Sequence, residues 1–487
     1  MTPDAVSTTP SLTRILAFLC VSLMGPLHAA DAPIPKPNFL ILIADDLARS
    51  ELGCYGGKNV ATPNIDRLAS QGLRFNQAIN SMAMCAPMRA AVYTGLYPMR
   101  NGVTHNHAAT IAPKTVAHYL KERGYRVGQT GKKHFGPKSA YPFEDVAGFE
   151  PNCVALTADY SLAGIKAFMT RDTAEPFCLF VCLVLPHAPW TVGDPSKFPP
   201  EKLVFPPHWA DTPKMRQAFS KYCAEVDMLD RQVGEIARLV DGLKLAANTL
   251  LVFSGEQGPQ FPRAKWTNYD HGLASAFIAR WPGRVQAGAT TEAIIQYEDL
   301  VPTLIELSGG TPPQELDGRS FAGVLSGAKS AHRDYAFAMH NNIPEGRPYP
   351  IRAIRDTRYK LILNLTPDAD YHEKHMMDID REDYWHSWVE AAKTDPKAAE
   401  ALRRFTKRPP VELYDVRSDP WELENLAEKP ALAATREAME KRLRDWMKQQ
   451  GDPGAALDFL TDEQKAVKWP GRDASGEPKK KQRKGKK

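Results

Sequence analysis

The sequence predicts an α/β fold. The expected form is a large α/β/α sandwich around a mostly parallel mixed central sheet, followed by a smaller C-terminal α+β unit with an antiparallel sheet. Three observations carry this expectation. Apolar, β-like runs recur, and each stops abruptly in polar residues. Helix-like segments separate those runs. After about residue 340 the pattern changes to short strands and a closing helix.

Taken in order, the chain opens on Arg14, the apolar run "ILAFLCVSLMGPL" and the small residues Ala29 and Ala30, which reads as a signal peptide over 1–30. The run is too short for a convincing membrane span. Export to a periplasmic or extracellular space is therefore expected. A main domain is expected over 31–345, beginning with "NFLILIADD", a strand that ends at Asp45 and Asp46. "TPNIDRLASQGL" and "TVAHYLKERG" read as helices, and "YRVGQTGKKHFG" as a strand ending at Lys132 and His134. "FCLFVCLVLPHAPW" is a strand ending at His187; its Cys178 and Cys182 would share a face roughly 13 Å apart, too far to bridge. "KYCAEVDMLDRQVGEIARLVDGL" is a long helix, and "NTLLVFSGEQG" a strand ending at Glu256 and Gln257. Continuous apolar strands of this kind suit a sheet covered on both faces. "YPIRAIRDTRYKLILNL", "VELYDVRSDP" and "TREAMEKRLRDWMKQQ" then supply an antiparallel C-terminal unit over 346–470, and 471–487 reads as a basic disordered tail.

Composition excludes some functions. The last nine residues hold seven of the Lys/Arg, and taking those from the net charge of +5 leaves −2. The body is close to neutral, so no nucleic-acid groove is expected. The cysteines form no CxxC pair and no zinc-finger spacing with histidine, which argues against a disulfide scaffold and a zinc finger.

In open α/β sheets, ligands bind beyond the carboxyl ends of the strands. The four polar strand ends should therefore gather on one edge. Asp45, Asp46 and Glu256 with the amide oxygen of Gln257 form an all-oxygen set suited to a hard divalent cation. Calcium tolerates that mixture best, with magnesium the alternative. Adjacent aspartates serve one site only if the backbone turns at the strand end. In extended chain Lys132 and His134 would face one side with Lys133 turned away. Lys265, in "FPRAKWTNYDHG", follows Glu256 in a loop. Cys85, in "SMAMCAPMRAAVYTG", opens a helix, with Pro87 in the first turn and Arg89 one turn on. A helix N-terminus favours an anion, so a cysteine there beside Arg89 and a cation suits chemistry on a tetrahedral oxyanion.

"CAPMR" followed by "YTG" resembles the signature of the type I sulfatases, whose CxPxR cysteine becomes formylglycine. "IADD", "GKKHFG", "PHAP", "SGEQG" with Lys265, and late "ELYDVRSDP" follow in the family's order over nearly all the mature chain. "GKKHFGP…YPF", "FPRAKWTNYD" and "YPIR" look closest to the sulfamidases (N-sulfoglucosamine sulfohydrolases) and related sugar sulfatases.

The resemblance implies calcium held by Asp45, Asp46, Glu256, Gln257 and an oxygen of the modified Cys85. It implies a formylglycine hydrate attacking sulfur, His187 protonating the leaving atom, Lys265 binding sulfate, and His134 taking the proton that regenerates the aldehyde. Arg89 and Lys132 would hold and neutralise the charged groups. A formylglycine-generating enzyme is the implied maturation partner, and a sulfated sugar or glycosaminoglycan-like chain the implied substrate. Met88 stands where the family usually has serine, and Glu256-Gln257 where it has Asp-Asn or Asp-His. Lys265 agrees with sulfatases at large where sulfamidases carry arginine, which points toward O-sulfate esters. Phosphoester or phosphonate hydrolysis on the same scaffold, and non-catalytic binding of sulfated glycans with Cys85 unmodified, are the competing readings. His105, His107, Trp190, His340 and Arg352 are candidate substrate contacts, Arg352 because anionic sugars need such a partner.

Overall fold

The computed structural model describes residues 36–153 and 157–459. The segment expected to be a signal peptide (1–30) and the basic tail (471–487) lie outside them. Eight strands form the central sheet: β1 (Asn38–Ala44), β2 (Leu73–Phe75), β4 (Arg126–Gly131), β5 (Glu144–Asp145), β6 (Phe177–Leu183), β7 (Thr249–Gly255), β9 (Phe277–Arg280) and β10 (Ala289–Thr291). Their spatial order is β10-β2-β9-β7-β1-β6-β4-β5. The run from β7 to β5 is parallel, whereas β9 pairs antiparallel with both β7 and β2. β2 and β10 consequently point the same way as β1.

Strand alternation explains the sandwich. Phe39, Ile41 and Ile43 of β1 join one apolar cluster with Val92, Leu120 and Leu304, from helices Cys85–Thr94, Val116–Lys121 and Leu300–Leu307. Leu40, Leu42 and Ala44 join the other with Ile65, Phe168 and Val233, from helices Pro63–Ser70, Ala163–Thr170 and Pro213–Gly242. Each such large side chain contributes about 1.5–3 kcal/mol relative to exposure. Cys178 and Cys182 fall on the first face as free, buried filler. The long helix begins earlier than its sequence pattern suggests, at Pro213, where the Thr212 side chain accepts a hydrogen bond from the Met215 amide at 3.2 Å.

A three-stranded sheet sits beside this core, with β3 (Ala78–Ile79) between β8 (Ala274–Ser275) and β11 (Ile295–Gln296). The C-terminal sheet is antiparallel in the order β12 (Ala336–His340), β13 (Ile351–Arg355), β14 (Tyr359–Asn364), β15 (Val411–Asp415). Its first strand comes from upstream of residue 346. Helix Ala433–Gln449 closes it, burying Leu443 and Trp446. A short π-helical turn, His375–Ile379, and helices Tyr384–Ala391 and Pro396–Thr406 lie between β14 and β15, where the sequence pattern indicates no element. No helix among the described residues is long and apolar enough to cross a membrane.

Candidate active site

The polar strand ends do converge. β1 stops at Ala44, and Asp46 adopts a left-handed φ of 55°, which supplies the turn that two adjacent aspartates need to share one site. Both are fully buried. Glu256 leaves β7 alongside, its amide bonded to the Ala44 carbonyl at 2.7 Å. β4 ends at Gly131 with φ 78°, and a Cβ there would fall 2.0 Å from the Cys182 carbonyl oxygen. Only glycine fits, and the turn delivers Lys132 to β1.

Three carboxylates meet three cations here. Asp45 pairs with Lys132, Asp46 with Lys265 at 2.7 Å, and Glu256 with Arg89 through two 3.0 Å contacts. Burial alone would raise Asp45, but Lys132, then His187, Glu256 and Arg89, outweigh it and hold its carboxyl well below the usual range. Burial likewise disfavours the Lys132 and Lys265 ammonium groups, yet Asp45 and Asp46 keep both firmly charged.

Cys85 is the first residue of helix Cys85–Thr94, with Met84 extended before it and Pro87 in the first turn. The Asn106 side-chain oxygen accepts from the free Ala86 amide at 3.1 Å. The Cys85 sulfur lies 3.6 Å from Asp45 Oδ1 and 3.3 Å from Gln257 Nε2. Burial pushes its thiol up despite the pull of Lys132 and Lys265, so a plain thiolate is disfavoured at this position. Met88 points elsewhere: it is fully buried in the apolar cluster beneath the helix.

His187 Nε2 stands 3.4 Å from Lys265 Nζ and 3.6 Å from Asp46 Oδ2. His134 departs from the extended geometry expected of it, with φ 41°. Its Nδ1 is buried without a hydrogen-bond partner, and burial, with Lys132 and Arg89 nearby, depresses its pKa well below the ordinary 6.5. Lys133 turns away to Asp145 at 2.7 Å.

A cavity of about 220 Å³ opens onto His187 and Lys265. Trp190 forms part of its wall, stacked on Phe261 at 4.7 Å and bonded through its indole N–H to the Pro186 carbonyl. His375, Arg381 and Tyr384 also line it, from a stretch where the sequence pattern indicates no element. Asn106 also reaches the cavity, whereas its expected neighbours do not line it: the half-buried His105 accepts at Nδ1 from the amide of exposed His107. His340 and Arg352 lie away from it as well. His340 is buried against Asn342 at 3.1 Å, and burial lowers it to about 4. Arg352 is buried in a two-pronged pair with Asp452 and donates to the His340 carbonyl. That geometry makes Arg352 a fastener of the C-terminal sheet.

The donor set fits a divalent cation. Oxygen, sulfur and nitrogen atoms of Asp45, Asp46, Cys85 and His187 lie within 4.8 Å of one another. The Gln257 Oε1 oxygen is buried with no hydrogen-bond partner, although its amide nitrogen donates to Asp46 at 2.6 Å. An unsatisfied buried acceptor beside two carboxylates is what a hard cation would relieve. Glu256 faces Arg89 with both oxygens, and its Oε1, like that of Gln257, is buried without a hydrogen-bond partner.

The family described as "Sulfatase" matches residues 37–310, and that described as "N-sulphoglucosamine sulphohydrolase, C-terminal" matches 263–407. An ulvan-active sulfatase of Formosa agariphila is 32% identical over 434 residues, covering 88% of this chain and 83% of that protein. The human N-sulphoglucosamine sulphohydrolase is 26% identical, covering 85% and 91%. A solved structure described as a complex with its substrate D-glucosamine-2-N,6-O-disulfate superposes with a TM-score of 0.67 at 19% identity, covering 86% of this chain and 99% of that one. With the family match spanning more than half its length, the chain belongs to the sulfatase family, hydrolases of sulfate esters or N-sulfates.

Proposed function

We propose that this protein removes a sulfate group from a sulfated carbohydrate after export, using a formylglycine made from Cys85 and a calcium ion held by Asp45, Asp46, Glu256, Gln257 and the modified Cys85. The observation that supports it most is the seat of Cys85: a helix N-terminus flanked by Asp45, Gln257 and two buried lysines, next to groups that open onto a cavity. The relatives act on ulvan and, by name, on N-sulfoglucosamine, which favours a saccharide. Lys265 favours an O-sulfate.

Formylglycine supplies a nucleophilic hydroxyl and the cation Lewis acidity toward sulfate oxygens. The chain does the rest. Lys265, which lines the cavity, binds a sulfate oxygen, and His187 beside it donates a proton to the leaving oxygen or nitrogen. Arg89 and Lys132 fix the carboxylates and offset charge that develops at sulfur. With three carboxylates already balanced by three cations, a divalent ion leaves the site in net positive charge, which attracts an anionic substrate.

His134, kept neutral by burial, is the proton acceptor. His134→Asn is expected to lower kcat about 100- to 10,000-fold. In the wild type, a depressed pKa leaves the imidazole basic well into acid, so the acid limb of kcat attributable to it falls below pH 6.5. A limb above that value would remove His134 from this role.

Calcium should raise the thermal midpoint of the chelator-treated protein by mass action. Gln257→Leu should shift the half-effective calcium concentration upward by about 10- to 100-fold. An unchanged calcium titration would take Gln257 out of the ligand set. The function itself is tested by assaying correctly matured protein against defined sulfated saccharides, with phosphate and phosphonate esters in parallel. Turnover of the sulfated sugars is expected; preference for a phosphorus ester would replace this reading.

A further inference from the structure

A second cavity, of about 770 Å³, lies on the same sheet edge as the catalytic residues but farther along it. It opens where β2 and β10 end. β2 lies two strands from β7 and β10 lies three, at roughly 4.8 Å per strand. The lining includes three guanidinium groups, Arg49, Arg74 and Arg417, and one carboxylate, Glu292.

Among the described residues none of these arginines has an ion-pair partner, and each is fixed by a neutral group. Arg49 donates to the Asn76 carbonyl at 2.7 Å. Arg74 lies over the Tyr55 ring at 5.2 Å, and its buried Nε has no hydrogen-bond partner. Tyr55 is itself anchored by the Phe75 and Phe277 carbonyls, at 3.0 and 3.1 Å. Arg417 donates to the Thr357 carbonyl at 2.9 Å. Glu292 is engaged by Asn76 and Gln77, at 2.5 and 3.0 Å. Burial lowers the Arg49 pKa, with the like charge of Arg355 adding to it, despite attraction from Asp270 and Glu292. With three guanidinium groups to one carboxylate, the lining carries an excess of positive charge. Pre-positioned guanidinium groups that outnumber the carboxylates around them are the usual chemistry for binding oxyanions in two-pronged fashion.

We propose that this cavity is a second oxyanion-binding site, which holds a sulfate or carboxylate group of the saccharide outside the unit being hydrolysed. The saccharide as the source rests on the proposed function; the oxyanion chemistry does not. A free inorganic oxyanion is the other source of the same chemistry.

The test has two arms. Crystals of the full chain soaked in selenate should show an anomalous peak among Arg49, Arg74 and Arg417; absence of that peak overturns the site whether or not the protein proves to be a sulfatase. In the kinetic arm, Arg74→Gln and the exposed Arg417→Gln are compared with wild type on a sulfated tetrasaccharide and on a small aryl sulfate. KM for the tetrasaccharide should rise about tenfold while aryl sulfate kinetics stay unchanged. If selenate binds but neither KM moves, the glycan role is overturned and the ligand is a free oxyanion. If both KM values rise together, the arginines act on the catalytic centre and the proposal fails.

Discussion

Cys85→Ala lowers kcat on sulfated substrates by at least about 10,000-fold, the scale seen when a nucleophile is removed from an enzyme whose binding groups remain. The loss is chemical. Cys85 sits at the first helical position with its sulfur against Asp45 and Gln257, and truncating it leaves Arg89, Lys132, His187 and Lys265 in place. The variant should fold, with stability changed by about 1 kcal/mol or less, and should still bind a sulfated saccharide. Equilibrium binding alongside turnover checks this. Residual turnover near the wild-type level would mean that the activity does not pass through residue 85. Loss of binding together with turnover would mean that the cysteine supports the pocket and nothing more.

Arg352→Ala should have the opposite signature. The guanidinium is fully buried, paired through two N–H groups with an equally buried Asp452, and bonded to the His340 carbonyl on the neighbouring strand. Removing one partner of a buried ion pair costs about 3–5 kcal/mol. Denaturant unfolding should show that loss, while kcat/KM of the folded fraction stays at the wild-type value. A raised KM with unchanged unfolding would restore Arg352 as a substrate contact.

These two residues mark where the sequence was legible. Cys85 could be read because its chemistry is local: a helix start, Pro87 and Arg89 within five residues. Asp45, Glu256, Lys132 and His187 could be read because each ends an apolar strand, and a parallel sheet brings such ends to one edge. Arg352 could not, because its partner stands 100 residues away. A lone arginine on a strand has the same local appearance whether it binds substrate or a buried aspartate.

The cavity wall from His375 to Tyr384 was hidden for another reason. A single π-helical turn and a left-handed Asp383 break any helical or strand period, so no amphipathic pattern marks the segment. Asn106 was passed over between His105 and His107, although asparagine oxygen is a common acceptor for free amides at a helix start. His134 was singled out by spacing, but its left-handed backbone shows that the chain is not extended there.

The central claim is that Cys85 is the precursor of an aldehyde. Mass spectrometry of the peptide containing Cys85, from protein made in a host with a competent maturation enzyme, tests it directly. The expected mass is about 18 Da below that of the cysteine peptide, as sulfur and two hydrogens give way to one oxygen in the oxidation. A peptide that carries only the unmodified thiol would contradict it.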